Sequence, residues 1–297
     1  MRERKRATAY SKEVLALFDG YVHGFIDRRA FVEGAAKVVG GAAAAVAVLD
    51  TLKPNYAWAA QVPEADERIR AEYVEYDSPD GSGTMRGYMA VPDGATASKP
   101  AILVIHENRG LNPYVEDVVR RFAAADFVAL GPDALTPLGG YPDNDEEGRE
   151  MQGQLDRDVM MEDWVAAFNF IRTHSTSTGR VGAVGFCYGG GVVNQLAIRL
   201  PNLGAGCPFY GSAPASEDVT SIQAPIQAHL GGLDERINSR YPEYEQAMEA
   251  AGKAFEVHVY EGANHGFHND TTPRFDEEAA GLAQRRVEAF FNEHLRG

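Results

Sequence analysis

Cysteine, histidine and aspartate together can make an acyl-transfer nucleophile with its base and an orienting acid. The sequence holds one such set in a usable order. Cys187 lies in Gly185-Phe186-Cys187-Tyr188-Gly189-Gly190-Gly191, between an apolar run at 181–186 and a helical pattern. This is a strand–nucleophile–helix elbow, G-x-[nucleophile]-x-G, with cysteine where serine is commoner. A nucleophile on so tight a turn needs neighbours without side chains, and Gly185 and Gly189 provide that room. The helix that follows aims free amides and its positive dipole end at the sulfur, which favours a thiolate. The other cysteine, Cys207, sits inside a second apolar run and reads as core packing.

Asp234 follows an apolar run at 225–230 and the turn Gly231-Gly232. His265 follows another run at 255–260, in Gly262-Ala263-Asn264-His265-Gly266-Phe267. Nucleophile, acid, histidine is the chain order of the elbow-bearing α/β hydrolases. Both residues fall on loops after strands, at the same sheet edge as Cys187. His268 competes as base and Glu235 as acid. Asp234 also reads as a helix N-cap or turn carboxylate. His23 and His294 are set aside as residues of terminal helices, His174 as a helix end, and His229 and His258 as strand residues.

A further loop, Val104-Ile105-His106-Glu107-Asn108-Arg109-Gly110-Leu111-Asn112, follows the first central strand. In such folds this loop and the residue after the nucleophile supply the oxyanion-hole amides, here the backbone N–H groups of Arg109 and Tyr188. Glu107 puts a carboxylate beside the nucleophile; an ion pair with Arg109 is the competing reading.

The elements that must position these groups follow from patterning. Runs at 69–77 and 84–91, with Pro79-Asp80-Gly81 between them, predict a hairpin. Strand-like runs at 101–106, 127–132, 181–186, 205–210, 225–230 and 255–260 then alternate with helical patterns at about 114–125, 156–174, 190–200, 241–251 and 275–295. Such alternation predicts a mainly parallel sheet covered on both faces, an α/β-hydrolase fold. Residues 135–155, rich in Gly, Asp and Glu, break the rhythm and read as a loop or lid.

Residues 1–62 differ from the rest and separate from a hydrolase domain at 63–297. Helices at roughly 12–23 and 27–49 make them a helical arm, packed on the body or on a second subunit in a homo-oligomer. Arg28-Arg29, the Ala/Gly/Val run at about 38–49 and Ala57-Trp58-Ala59 also resemble a twin-arginine export leader, which leaves localisation open between cytoplasm and export. The chain has 297 residues and a net charge of −15, a balance that argues against nucleic-acid binding. No apolar run reaches the roughly 18–20 residues of a membrane span. Two cysteines without a CxxC pair or zinc-spaced Cys/His cluster predict neither disulfides nor a metal, and the chemistry asks for no cofactor.

From about residue 69 onward the chain resembles the dienelactone hydrolase (carboxymethylenebutenolidase-like) family. The resemblance is carried by the Glu107 loop, Gly185-Phe186-Cys187-Tyr188-Gly189-Gly190, Asp234 and His265-Gly266-Phe267. The N-terminal extension and the run His265-Gly266-Phe267-His268-Asn269-Asp270 are similar to a bacterial branch of it. The resemblance implies cleavage of a small ester or lactone through a thioester acyl-enzyme. It also implies that Glu107 holds the resting thiol and gives way when substrate binds. Members specific for dienelactone hold the substrate carboxylate with two arginines. One of those positions is Asn269 here, and Arg149 is near the other without aligning to it, which puts dienelactone itself in doubt. Arg109 or Arg236 is left to hold an anionic substrate, with structural pairing the competing reading for each. A thiol-based redox or binding protein on the same fold is the alternative function; no resolving cysteine stands near Cys187 in sequence.

Overall fold

Short β-branched and apolar runs separated by amphipathic helices fold into one eight-stranded sheet. The structure, a computed structural model, describes residues 6–58 and 60–296. The strands are β1 (Ile69–Ser78), β2 (Gly83–Pro92), β3 (Lys99–Ile105), β4 (Val128–Pro132), β5 (Ser177–Phe186), β6 (Ala205–Phe209), β7 (Ile226–Gly231) and β8 (Phe255–Tyr260). Their spatial order is β1-β2-β4-β3-β5-β6-β7-β8. The β1–β2 hairpin and the β2–β4 pair are antiparallel, and every other pair is parallel. This is the expected α/β-hydrolase architecture.

The helices in chain order are α1 (Lys12–Val22), α2 (Arg28–Val39), α3 (Ala42–Leu52), α4 (Pro113–Ala124), α5 (Asp145–Gln152), α6 (Arg157–Thr173), α7 (Tyr188–Arg199), α8 (Glu235–Asn238), α9 (Tyr241–Ala250) and α10 (Glu277–Arg296). Strand alternation divides the core. Ala101, Leu103 and Ile105 of β3 face a cluster with Trp164 and Phe168 of α6 and Tyr244 and Met248 of α9. Ile102 and Val104 of the same strand face Val118 and Phe122 of α4 and Val287 and Phe291 of α10. A strand buried on both faces carries no polar residue inward, hence its unbroken apolar run. Local signals set the helix starts. Asn112 caps α4 through Oδ1 on the Val115 amide, with Pro113 at the first helical position, and Asp156 caps α6.

The arm differs from expectation in one respect: the helix anticipated at 27–49 is two helices. Gly40 (φ 86°) and Gly41 (φ 139°) end α2 and turn the chain into α3, a backbone course open to residues without a Cβ. The break lets α1, α2 and α3 close on each other around Phe18, Tyr21, Phe31, Ala35, Ala45, Leu49 and Leu52. No single helix among the described residues is long and apolar enough to cross a membrane. Arg28 and Arg29 open α2, and Arg29 pairs with Glu33 at 2.8 Å. Of the Ala57-Trp58-Ala59 stretch, Ala59 lies outside the described residues. The 135–155 segment, expected as a loop or lid, contains a 3-10 turn at Thr136–Leu138 and helix α5.

Candidate active site

Cys187 sits between β5 and α7 with φ 55° and ψ −110°, a left-handed conformation rare for a side-chain-bearing residue. Its amide is held by the Phe209 carbonyl at 3.0 Å. The flanking glycines are required by contact. A Cβ on Gly185 would meet the Gly189 carbonyl oxygen at 2.1 Å, and one on Gly189 would meet the Ile105 oxygen at 2.4 Å. The turn therefore presses against β3, and the sulfur stands at the carboxyl edge of the parallel strands. Cys207 is buried in β6, in register with Val184 of β5.

His265 and Asp234 meet at this edge. His265 Nδ1 donates to Asp234 Oδ2 at 2.5 Å, and Asp234 Oδ1 accepts from the Ile237 amide at 3.3 Å as the N-cap of α8. One Asp234 carboxylate oxygen thus caps a helix while the other bonds the His265 ring. His265 Nε2 is buried and has no hydrogen-bond partner. Burial drives the imidazole down to about 3; Asp19 opposes this, and Arg274, Arg236 and Arg109 add to it. The imidazole is therefore neutral near pH 7, with its Nε2 lone pair available. His268 faces elsewhere, its Nδ1 accepting from Tyr114 Oη at 2.7 Å and its ring stacked on Phe186.

The nitrogen within hydrogen-bond distance of the sulfur belongs to a different residue. His23, at the end of α1, places Nε2 3.3 Å from Cys187 Sγ, and its ring lies edge-on to His265 with centroids 4.7 Å apart. The sequence reading set His23 aside as a terminal-helix residue, and the structure corrects this. The arm reaches the site through contacts that no local spacing announces. Asn108 Nδ2 donates to the Val22 carbonyl at 2.9 Å, and Arg149 Nη1 donates to the Tyr21 carbonyl. Asp19 lies 3.6 Å from Arg236 and 3.5 Å from Arg274. Among the described residues, His23, Cys187 and His265 are the group whose ligand atoms lie close enough together, within 4.8 Å, to hold a metal ion.

Glu107 is nearly inaccessible. Oε2 accepts from Asn269 Nδ2 at 3.0 Å and lies 3.8 Å from Arg109 Nε. Burial pushes the Cys187 thiol up to about 12 and the Glu107 charge adds to the push, against Arg109, Arg236 and the Tyr188 amide. The helix N-terminus thus pulls toward the thiolate, as the sequence suggests, but desolvation and a like charge outweigh it. The resting group is a thiol.

Three of the candidate groups are engaged within the protein. The Arg109 amide donates to the Glu107 carbonyl at 2.9 Å, closing a tight turn, so it is not free for an oxyanion in this conformation. The Arg109 guanidinium is buried between Glu107 and Asp145, the latter at 3.0 Å, and ion-pairs with both. Asn269 is fully used as well, since Oδ1 accepts from the Thr271 amide and hydroxyl while Nδ2 holds Glu107. Its amide nitrogen thereby holds the Glu107 carboxylate. Arg236, with a side chain 38% exposed, engages Asp19 and His23 of the arm. Arg274 and Tyr210 were missed. Arg274 stands over the Phe18 ring at 5.2 Å, and Tyr210 (φ 36°) packs its ring 4.9 Å from that of His265. A cavity of about 1340 Å³ opens between arm and body beside His265, lined in part by Lys12, Asp19, Asp234, Arg236 and Arg274.

A protein-family model described as the dienelactone hydrolase family matches residues 85–295, and one described as YqhI-like matches residues 1–39. A hydrolase fragment of Escherichia coli is 55% identical over 112 residues, 38% of this chain and 96% of the fragment. A Bradyrhizobium protein provisionally named as a 2-oxo-3-(5-oxofuran-2-ylidene)propanoate lactonase is 31% identical over 78% of this chain and 98% of its own length. A provisionally named dienelactone hydrolase structure from Klebsiella pneumoniae superposes with a TM-score of 0.67 at 24% identity, covering 75% of this chain and 99% of that one.

Proposed function

The chain belongs to the dienelactone hydrolase family and is a hydrolase of ester or lactone substrates; we propose that Cys187 is its nucleophile, His265 its base and Asp234 the acid that orients the base. The observation that carries this reading is the buried His265 Nε2, left without a partner beside a strained cysteine while its Nδ1 is fixed by Asp234. Such an atom is costly unless chemistry uses it.

The reaction balances as follows. His265 Nε2 takes the Cys187 proton as Sγ bonds to the substrate carbonyl carbon, leaving the charge on the carbonyl oxygen. The Tyr188 amide, first in α7, donates to that oxygen. The second donor comes from the loop after β3 once the Glu107–Arg109 turn opens. Collapse breaks the carbon–oxygen bond, and the imidazolium returns its proton to the departing alkoxide. Water then attacks the thioester, losing a proton to His265. Collapse of that adduct releases the carboxylic acid, and His265 returns the proton to sulfur. Glu107 keeps the resting sulfur protonated. Asn269 and Arg109 hold Glu107 in place.

In this reading residues 1–62 are a closing arm on a hydrolase domain at 63–297. His23 must move aside for a carbonyl to reach the face of Cys187 that it contacts. Arg236 is the cation suited to an anionic substrate, because its present partner, Asp19, belongs to the arm and leaves with it. The test is trapping. Acid quench during turnover of an activated ester should leave an acyl mass on the peptide that contains Cys187. An acyl group on any other residue overturns the assignment.

A further inference from the structure

We infer that His23, Cys187 and His265 form a binding site for one borderline transition-metal cation of the Zn2+ type, with the arm supplying one of three ligands. The argument starts from proton positions. His23 Nδ1 lies 2.7 Å from the Asp19 carbonyl oxygen, which can only accept, so Nδ1 carries the proton. His23 Nε2 is therefore a lone pair, aimed at Cys187 Sγ at 3.3 Å and accepting from Arg236 at 3.2 Å. His265 Nδ1 is likewise committed to Asp234, which leaves its Nε2 lone pair buried and unpartnered. Two neutral imidazole lone pairs thus converge on one sulfur, with one atom from each residue within 4.8 Å of the others. The thiol proton can reach only one imidazole and His23 otherwise depends on Arg236; one cation would satisfy all three groups.

The supporting contacts fit a metal site. Histidine ligands ordinarily tie their other ring nitrogen to a carboxylate or a backbone carbonyl. His265 has the first arrangement and His23 the second. Zn–S near 2.3 Å and Zn–N near 2.0–2.1 Å in a tetrahedron place neighbouring ligand atoms roughly 3.3–3.6 Å apart. A sulfur–nitrogen pair belongs at the upper end of that range, roughly 3.5–3.6 Å, and the His23–Cys187 separation of 3.3 Å lies within about 0.3 Å of it. One thiolate and two imidazoles favour Zn2+ or Cu+ over Mg2+ or Ca2+. Arg236 must turn away, since it claims the same lone pair of His23; Asp19 offers it a place to go. Binding replaces the thiol proton, which leaves to solvent as the metal–sulfur bond forms. The sulfur so held cannot attack a carbonyl. That consequence rests on Cys187 being the nucleophile, whereas the metal site does not.

The full-length chain, reduced and metal-free, is titrated with Co2+ and then with Zn2+. The expected result is one Co2+ per chain with a thiolate-to-cobalt charge-transfer band, displaced by Zn2+ and unchanged in Cys207→Ala. Affinity should fall at least tenfold in His23→Ala and in His23→Gln, each confirmed folded by circular dichroism. The absence of a thiolate–cobalt band in wild type overturns the site, as does unchanged affinity in either folded His23 variant. Zinc bound without loss of ester turnover counts against the nucleophile and leaves the site standing.

Discussion

His23 Nε2 lies 3.3 Å from Cys187 Sγ although 164 positions separate the two residues in sequence. The contact brings the end of α1 against the elbow, and in the proposed reading this closure covers the approach to the sulfur. The arm is held there by Asn108, Arg149, Arg236 and Arg274, all from the hydrolase body. Its own core is separate from the two clusters that flank the sheet.

Leu49→Ala tests that closure. Leu49 is fully buried in the arm's cluster, and truncating such a side chain costs about 2–5 kcal/mol. A 2 kcal/mol loss raises an open population roughly 30-fold. Iodoacetamide should then alkylate Cys187 at least tenfold faster than in wild type, read by mass spectrometry, while the main thermal transition persists. Equal rates would show that the arm does not gate the thiol.

Glu107→Gln removes a negative charge beside the sulfur. A like charge raises a thiol pKa, so its removal lowers it. The pH profile of alkylation should shift to lower pH, with faster reaction at neutral pH, while ester turnover falls. Asn269→Asp should act oppositely on the thiol by placing a second carboxylate against Glu107. An unchanged thiol profile together with unchanged turnover in Glu107→Gln would make Glu107 a structural partner of Arg109.

His265→Ala should cost at least as much turnover as Asp234→Ala, on the order of 10⁴-fold or more, because the imidazole moves the proton and the aspartate orients it. His268→Gln should cost far less. If kcat/KM falls further in the His268 variant, the base has been misassigned.

Most of the frame could be read from the sequence because its causes are local. The elbow needs Gly185 and Gly189 for contact reasons, and strands buried on both faces must be continuously apolar. Asp234 and His265 follow strands that the same pattern exposes. The break in the arm was also there to be read, since Gly40-Gly41 is a turn signal inside a helical run. His23 was not legible. Its place depends on ion pairs and carbonyl contacts between residues far apart in sequence. The side-chain commitments of Arg109 and Asn269 depend on Asp145 and Glu107 in the same way.

Burial of His268 predicts a fold that weakens in acid. Burial takes its pKa down to about 3, against about 6.5 in an unfolded chain. A folded value below the unfolded one means stability is fully present above about pH 6.5 and is lost as pH falls toward 3. The thermal midpoint should drop across that window, and His268→Gln, which cannot take up the proton, should flatten the drop. An identical pH profile in both proteins would remove His268 from the account.

The central claim is that Cys187 forms the acyl-enzyme, and turnover of Cys187→Ala tests it most directly. The substitution removes the sulfur and leaves the elbow backbone to a residue small enough to adopt it. With circular dichroism unchanged, kcat/KM for an activated ester should fall on the order of 10⁴–10⁶-fold. Activity within tenfold of wild type would contradict the claim.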